Sequence, residues 1–300
     1  MKHTILLILF YCGCLPDLGP PSSLILGPRI LAVRSEPAEV SPGESVQLQV
    51  FAADLQGPLA AMPVEWAFCA APKSPVDNNV VSERCLEQDV RVLTDSASLI
   101  TAQLPSDACE LFGPQLPPST DGQTSLRPRD PDGTGGYYQP VRLRLLGMTA
   151  FGLVRIRCGL STATPEVAAQ FRMSYVPNRN PQLGALSFLL GDTEVSPSAL
   201  PTGQTLTLKL SIPQDSRESF VWFDPSEQKL RTIDEQLRVS WLSAQGSFRA
   251  ASTDVNNEQT HDEWRTPERP GSALLWTILR DSRGGVITQS HAVQIVRTDT

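Results

Sequence analysis

General acid–base catalysis starts with histidine, and this chain offers only His3, His261 and His291. His3 lies in an N-terminal segment that reads as an export signal. His261 sits in Thr260-His261-Asp262-Glu263-Trp264, a polar stretch that reads as a loop carrying a solvated imidazole. His291 falls in a run that predicts a final strand, where alternation with Ala292 and Val293 turns it outward. Serines abound, yet no Gly-x-Ser-x-Gly elbow exposes one as a nucleophile. The sequence therefore reads as non-enzymatic, with no cofactor.

Hard-cation chemistry has one place to go. In Asp130-Pro131-Asp132-Gly133 two carboxylates precede a glycine turn, as calcium ligands would. A full loop needs further oxygens and a bidentate glutamate at its twelfth position, and these are missing. The same residues make good turn chemistry. Asp130 and Asp132 are secondary calcium candidates, Asp192 and Glu194 more remote ones, and no metal is assigned. Of the tryptophans, Trp66, Trp241 and Trp276 suit a core. Trp222 and Trp264 stand near polar or proline-rich segments and are the candidate aromatics for a glycan or protein partner.

Cysteine divides into two groups. Cys12 and Cys14 close the first fourteen residues; Cys69, Cys85, Cys109 and Cys158 lie beyond. Zinc would want close cysteine pairs or histidine partners, which that stretch lacks. Four cysteines in an exported chain point to disulfides with three connectivities, of which Cys69 with Cys85 and Cys109 with Cys158 is preferred. Export itself is read from Lys2, the apolar run Ile5 to Phe10 and the small residue Gly13. That run is far short of the roughly 18 residues that span a bilayer. The first alanine is Ala32, so an Ala-x-Ala site is absent near the apolar core.

Gly13-Cys14 resembles the lipobox of bacterial lipoproteins, with Tyr11 where leucine is usual. The resemblance implies cleavage after residue 13 and a diacylglycerol thioether on Cys14, followed by further acylation with chains such as palmitate. Leu15, in place of an aspartate, implies the outer membrane. The alternative is a soluble, secreted protein cut elsewhere. Residues 14–28, with four prolines and no periodicity, read as a lipidated tether.

With 40% apolar residues, 19% charged residues and 26 prolines, the chain can build a core but is punctuated by turns, which favours β-structure. A formal net charge of -7 argues against a nucleic-acid partner. Alternation from Arg29 onward predicts short strands, among them Glu44–Phe51, with Val46, Leu48 and Val50 on one buried face. Others are Pro63–Cys69, Ser98–Leu104, Pro140–Leu146, Leu153–Cys158 and Ala168–Val176. The segment 106–136 reads as a long loop. Pro201-Thr202-Gly203 through Leu210 repeats Pro42-Gly43 through Val50, each copy following a Val-Ser-Pro, and this weak internal repeat argues for two modules. The boundary falls at Pro177–Pro181. Later strands are Leu183–Leu190, Leu206–Ile212, Leu237–Leu242, Ser272–Arg280 and Val286–Val296, the last two joined by the turn Asp281–Gly285.

At Trp241–Phe248 and Leu275–Ile287 the second module resembles bacterial immunoglobulin-like domains, which show a Val-x-Trp strand, a following Gly-x-Phe and a closing Asp-x-x-Gly hairpin. Residues 29–177 resemble them more loosely, departing in four cysteines and a long insertion. Taken with the signal, the chain resembles surface lipoproteins of deltaproteobacterial type. The resemblance implies an all-β protein: a signal over 1–13, a tether over 14–28, and tandem immunoglobulin-like β-sandwiches over 29–177 and 183–300. It would be held to the membrane by lipid and bind a protein or glycan partner.

Overall fold

The computed structural model describes residues 19–72, 81–114 and 133–297. Cys14, Asp130 and Asp132 lie outside them. The chain is all-β. Its first sheet pair is built from β1 (Arg29–Glu36), β2 (Glu39–Val40), β3 (Ser45–Asp54), β4 (Gly57–Pro58), β5 (Glu65–Cys69), β6 (Val90–Val92), β7 (Leu99–Gln103), β8 (Gly136–Leu145) and β9 (Met148–Arg157). Two helices, α1 (Ala108–Phe112) and α2 (Pro165–Ser174), accompany it. One sheet sets β3 between β1 and β7; the other runs β2-β9-β8-β5-β6.

The second pair comprises β10 (Leu186–Leu190), β11 (Thr193–Val195), β12 (Leu200–Pro201), β13 (Thr205–Ser211), β14 (Ser219–Asp224), β15 (Lys229–Asp234) and β16 (Leu237–Ser243). It continues with β17 (Ser247–Phe248), β18 (Ser252–Asp254), β19 (Gln259–Arg265), β20 (Gly271–Asp281) and β21 (Val286–Val296). Its sheets run β11-β10-β13-β19-β17 and β12-β21-β20-β16-β18, with β14 and β15 paired as a separate hairpin.

The two pairs share one strand plan. In each, a two-residue strand crosses to the other sheet and runs parallel to the last strand: β2 beside Arg155 and Ile156, β12 beside Ile295 and Val296. A glycine turn comes next, Gly43 at φ 81° and Gly203 at φ 64°, then the alternating strand that buries Val46, Leu48 and Val50 or Leu206, Leu208 and Leu210. Trp66 and Trp241 occupy matching central strands, fully buried, with indole N–H groups donating to Ala97 O and Thr253 Oγ1, both at 2.8 Å. This is an immunoglobulin-type sandwich order. The structural partner of Val40 is Leu200 rather than Val195, which pairs back on β10.

The pairs meet face to face. Strand β3 turns Val46, Leu48, Val50 and Ala52 into its own core and Phe51 and Ala53 outward, as its period of two requires. Against those outward residues and Leu31 lie Leu242, Trp276, Ile278 and Val286.

Three expectations are corrected. The strand expected over residues 168–176 is a helix, Pro165–Ser174: Thr164 caps it by accepting the Val167 N–H, and Pro165 occupies its first turn. Thr-Pro is a helix-start signal that outweighs the apolar–polar alternation of the residues after it. His261 and Trp264 lie on β19, not in a loop; Thr260, Asp262 and Trp264 face inward while their neighbours face out. The stretch expected to be a tether is docked from Ser23: Ile25 donates to Ser243 O at 2.8 Å, Ser243 returns a bond to Ser23 O at 2.9 Å, and Ile25 is fully buried. An isoleucine that fills a gap between two sheets gains about 1.5–3 kcal/mol, enough to hold a short segment down.

Candidate functional site

The densest polar chemistry in the described residues lies where the two sheet pairs join. The β20–β21 turn is held by Asp281, whose Oδ1 accepts the N–H groups of Arg283 and Gly285, each at 2.8 Å. That turn drives Arg283 into the junction, where it is 1% exposed. Its Nε donates to Glu235 Oε1 at 2.6 Å, Nη2 to Glu218 Oε2 at 2.8 Å and Nη1 to Val176 O at 2.8 Å. The guanidinium lies 4.5 Å from the centre of the Phe220 ring. Glu218 and Glu235 flank the β14–β15 hairpin, and Glu235 N–H donates to Glu218 O at 2.9 Å, closing its base.

A second cluster surrounds Glu39. It accepts from Arg155 Nε at 3.1 Å, from Asn178 N–H at 3.0 Å and from the Tyr175 hydroxyl. The Asn178 amide then donates to Asp281 at 3.3 Å, so one residue of the connection ties both clusters together. Asn180 reaches both pairs, donating to Ser35 O at 2.7 Å and accepting from Val286 N–H at 2.9 Å. Gly136 is required here by close approach: a Cβ on it would lie 2.1 Å from the Arg155 guanidinium carbon.

Charge in the Arg283 cluster is unbalanced, since three buried carboxylates share one buried guanidinium and one exposed one, that of Arg179, whose Nε donates to Glu218 Oε1 at 2.5 Å. Burial, with Asp281 nearby, pushes the Glu235 carboxyl up to about 7 against the pull of Arg283. Burial likewise raises Asp281. The Tyr175 phenol is held well above its usual range by burial and the Glu39 charge. These groups are consumed by bonds to one another and to backbone, so the arrangement fixes two bodies together rather than meeting a substrate. Ion-pair networks of this kind perturb proton affinity without being catalytic.

The sequence-selected residues scatter around this junction. Cys69 joins Cys85 and Cys109 joins Cys158, with Cα separations of 5.3 and 5.5 Å. The first bridge staples the β5–β6 connection; the second ties α1 to the end of β9. Trp264 is not a surface aromatic: it is fully buried beside Phe248, and its indole N–H donates to Gln245 O at 3.3 Å. Trp222 is half-buried on β14, in the hairpin that clasps the first pair through Phe223 N–H to Gly133 O at 2.7 Å. His291, expected to face outward, is instead on the inward side of β21 in phase with Val293, because its ring is held by Thr277 Oγ1 at 3.1 Å, and burial lowers it to about 4. Asp192 and Glu194 are exposed at the β10–β11 turn. Among the described residues no three His, Cys, Asp or Glu side chains are grouped to hold a metal, and no helix is long and apolar enough to cross a membrane.

Sequence reasoning missed the junction. Glu39, Asn178, Glu218, Glu235 and Arg283 are separated in sequence and look like ordinary polar surface residues. The one available signal was Asp281–Gly285, which reads only as a turn.

No protein-family model matches the chain, and no curated protein matches it. Among solved structures it is similar to the D00-D0 domain of intimin, at 12% identity and a TM-score of 0.26, covering 91% of this chain and 100% of that one. The D0-D1 domain of intimin gives 11% and 0.24, with 89% and 98% covered. The human OSCAR ligand-binding domain gives 11% and 0.23, with 91% and 100% covered. Scores this low leave the fold to rest on the strand order itself.

Proposed function

We propose that this chain is a non-enzymatic cell-envelope lipoprotein whose two immunoglobulin-like domains, over 29–177 and 183–300, present a binding or adhesive surface at a fixed geometry. The observation that carries the reading is the junction: Arg283, Asn178 and Asn180 are each bonded to both sides of the connection. Such a unit transmits position and load, which is what a presented module needs. Cys14 would supply the anchor by acylation, several chains giving stable attachment where one is marginal. The outer membrane is the proposed location and a protein the proposed partner. A glycan partner is less favoured, because Trp264 is in the core and only Trp222 remains of the aromatic pair.

The test is Cys14→Ser in the producing cell with metabolic palmitate labelling. Loss of label and release of the protein from the membrane fraction are expected. Unchanged membrane association would refute the anchor.

A further inference from the structure

A cleft of about 570 Å³ opens between the two sheet pairs, walled on one side by β1 and β9 and on the other by the β20–β21 turn. Its size suits a small ligand or a short stretch of peptide. Ile30, Val33, Phe151 and Leu153 are among its lining residues and are only partly covered, with the Val33 side chain packed against Gly152 of β9 and the first core.

Two further features say what would fill it. Strand β9 pairs with β8 along its whole length, but on its other side β2 meets only Arg155 and Ile156. The stretch from Thr149 to Val154 thus has no strand partner on its second edge among the described residues. An unpaired edge beside an apolar groove is the geometry that takes up an extended peptide as an added strand.

The second feature is Arg280, on the face of β20 turned toward the first pair. Its Nη2 donates to Leu31 O at 2.9 Å and its Nη1 to Ser240 Oγ at 3.4 Å. Arg280 is half-buried, whereas the buried arginines Arg142, Arg155 and Arg283 each have a carboxylate in ion-pair contact. Arg280 has none among the described residues, although burial disfavours its charge. Asp281 beside it is turned away onto the backbone of its own turn. A partly desolvated guanidinium with neutral partners alone is well placed to gain a carboxylate, which its fork accepts with strong hydrogen bonds.

We infer that this cleft binds an extended peptide that pairs with the free edge of β9, seats apolar side chains on Phe151 and Leu153, and places a carboxylate on Arg280. This rests on the binding reading above and names the chemistry of the partner segment.

The test uses the full chain and a fluorescein-labelled octapeptide of alternating threonine and valine that ends in phenylalanine with a free carboxylate, read by fluorescence polarisation. Saturable binding is expected, weakened roughly tenfold or more by C-terminal amidation, as loss of a charge-assisted bond predicts. An amidated version with aspartate before the last residue separates the two sources: recovery of binding assigns a side-chain carboxylate, and no recovery assigns the chain terminus. Arg280→Gln should weaken the acid by a similar factor while leaving the amide unchanged. Ser282→Trp, which crowds the exposed mouth and keeps Arg280, should weaken both peptides, with thermal melts confirming that each variant is folded. No binding at millimolar peptide, or equal binding of acid and amide, overturns the inference. Neither result touches the anchor, which the Cys14→Ser experiment tests separately.

Discussion

The two sheet pairs are built on one strand plan yet are braced in opposite ways. The first carries long connections, between β5 and β6 and between β7 and β8, and each is tied by a disulfide to a strand end. The second has no cysteine. Its longest insertion, between β13 and β16, folds instead into the β14–β15 hairpin and clasps the first pair. Covalent closure stabilises a body on its own, whereas a clasp stabilises only while its neighbour is folded. The second pair should therefore depend on the first more than the reverse.

The largest break in that comparison should come at Arg283. Arg283→Ala leaves Glu235 buried without its cation, while Glu218 keeps only the exposed Arg179; removing one partner of a buried pair costs about 3–5 kcal/mol. Urea unfolding followed by tryptophan fluorescence should change from one transition to two, the second pair melting first. Arg283→Lys keeps the charge but not the fork, and should fall between wild type and alanine. A single unshifted transition in Arg283→Ala would mean that the pairs are coupled through the apolar contact around Trp276 alone.

Removing the bridges probes the other side. Replacing Cys109 and Cys158 by alanine opens a loop with a sequence separation of 49, for which chain entropy gives about 4 kcal/mol. For Cys69 and Cys85 the separation is 16 and the loss about 3 kcal/mol. Calorimetry should show the first pair destabilised in both variants, and the second destabilised with it. If the second pair melts at an unchanged temperature, the clasp does not carry its stability.

The strand plan was legible because burial on one face forces alternation: Val46, Leu48 and Val50, and Leu206, Leu208 and Leu210, announce themselves. Strand β19 was not, because its inward positions include Thr260 and Asp262, polar residues satisfied by bonds to Thr253 and to the Ala250 N–H. Helix α2 was obscured because only Phe171 of its residues is buried, leaving no apolar stripe to read. The junction was illegible for a deeper reason. A buried charge looks like a surface charge until its partner is known, and Arg283 finds Glu218 across 65 residues. The cleft had no sequence signal either, since an unpaired edge is a property of topology.

The smallest effect is in pH dependence, where the junction and the second core pull in opposite directions. Glu235 has a folded value of about 7 against an ordinary value of 4.5. The folded state holds its proton more tightly, so Glu235 adds stability that is full below pH 4.5 and lost as pH rises through 7. His291 is the reverse, with a folded value of about 4 against 6.5. Its contribution is full above pH 6.5 and lost as pH falls through 4. Between pH 4.5 and 6.5 the two slopes oppose each other, and wild type should show a shallow profile. Glu235→Gln removes the Glu235 share of the junction's slope and leaves that of Asp281, so stability should then fall more on acidification than in wild type. His291→Asn removes the core's slope, so stability should then rise on acidification. Urea midpoints measured across that window read both signs directly. Variants with parallel profiles would place the titrating groups elsewhere and remove pH as a way to tell the junction from the core.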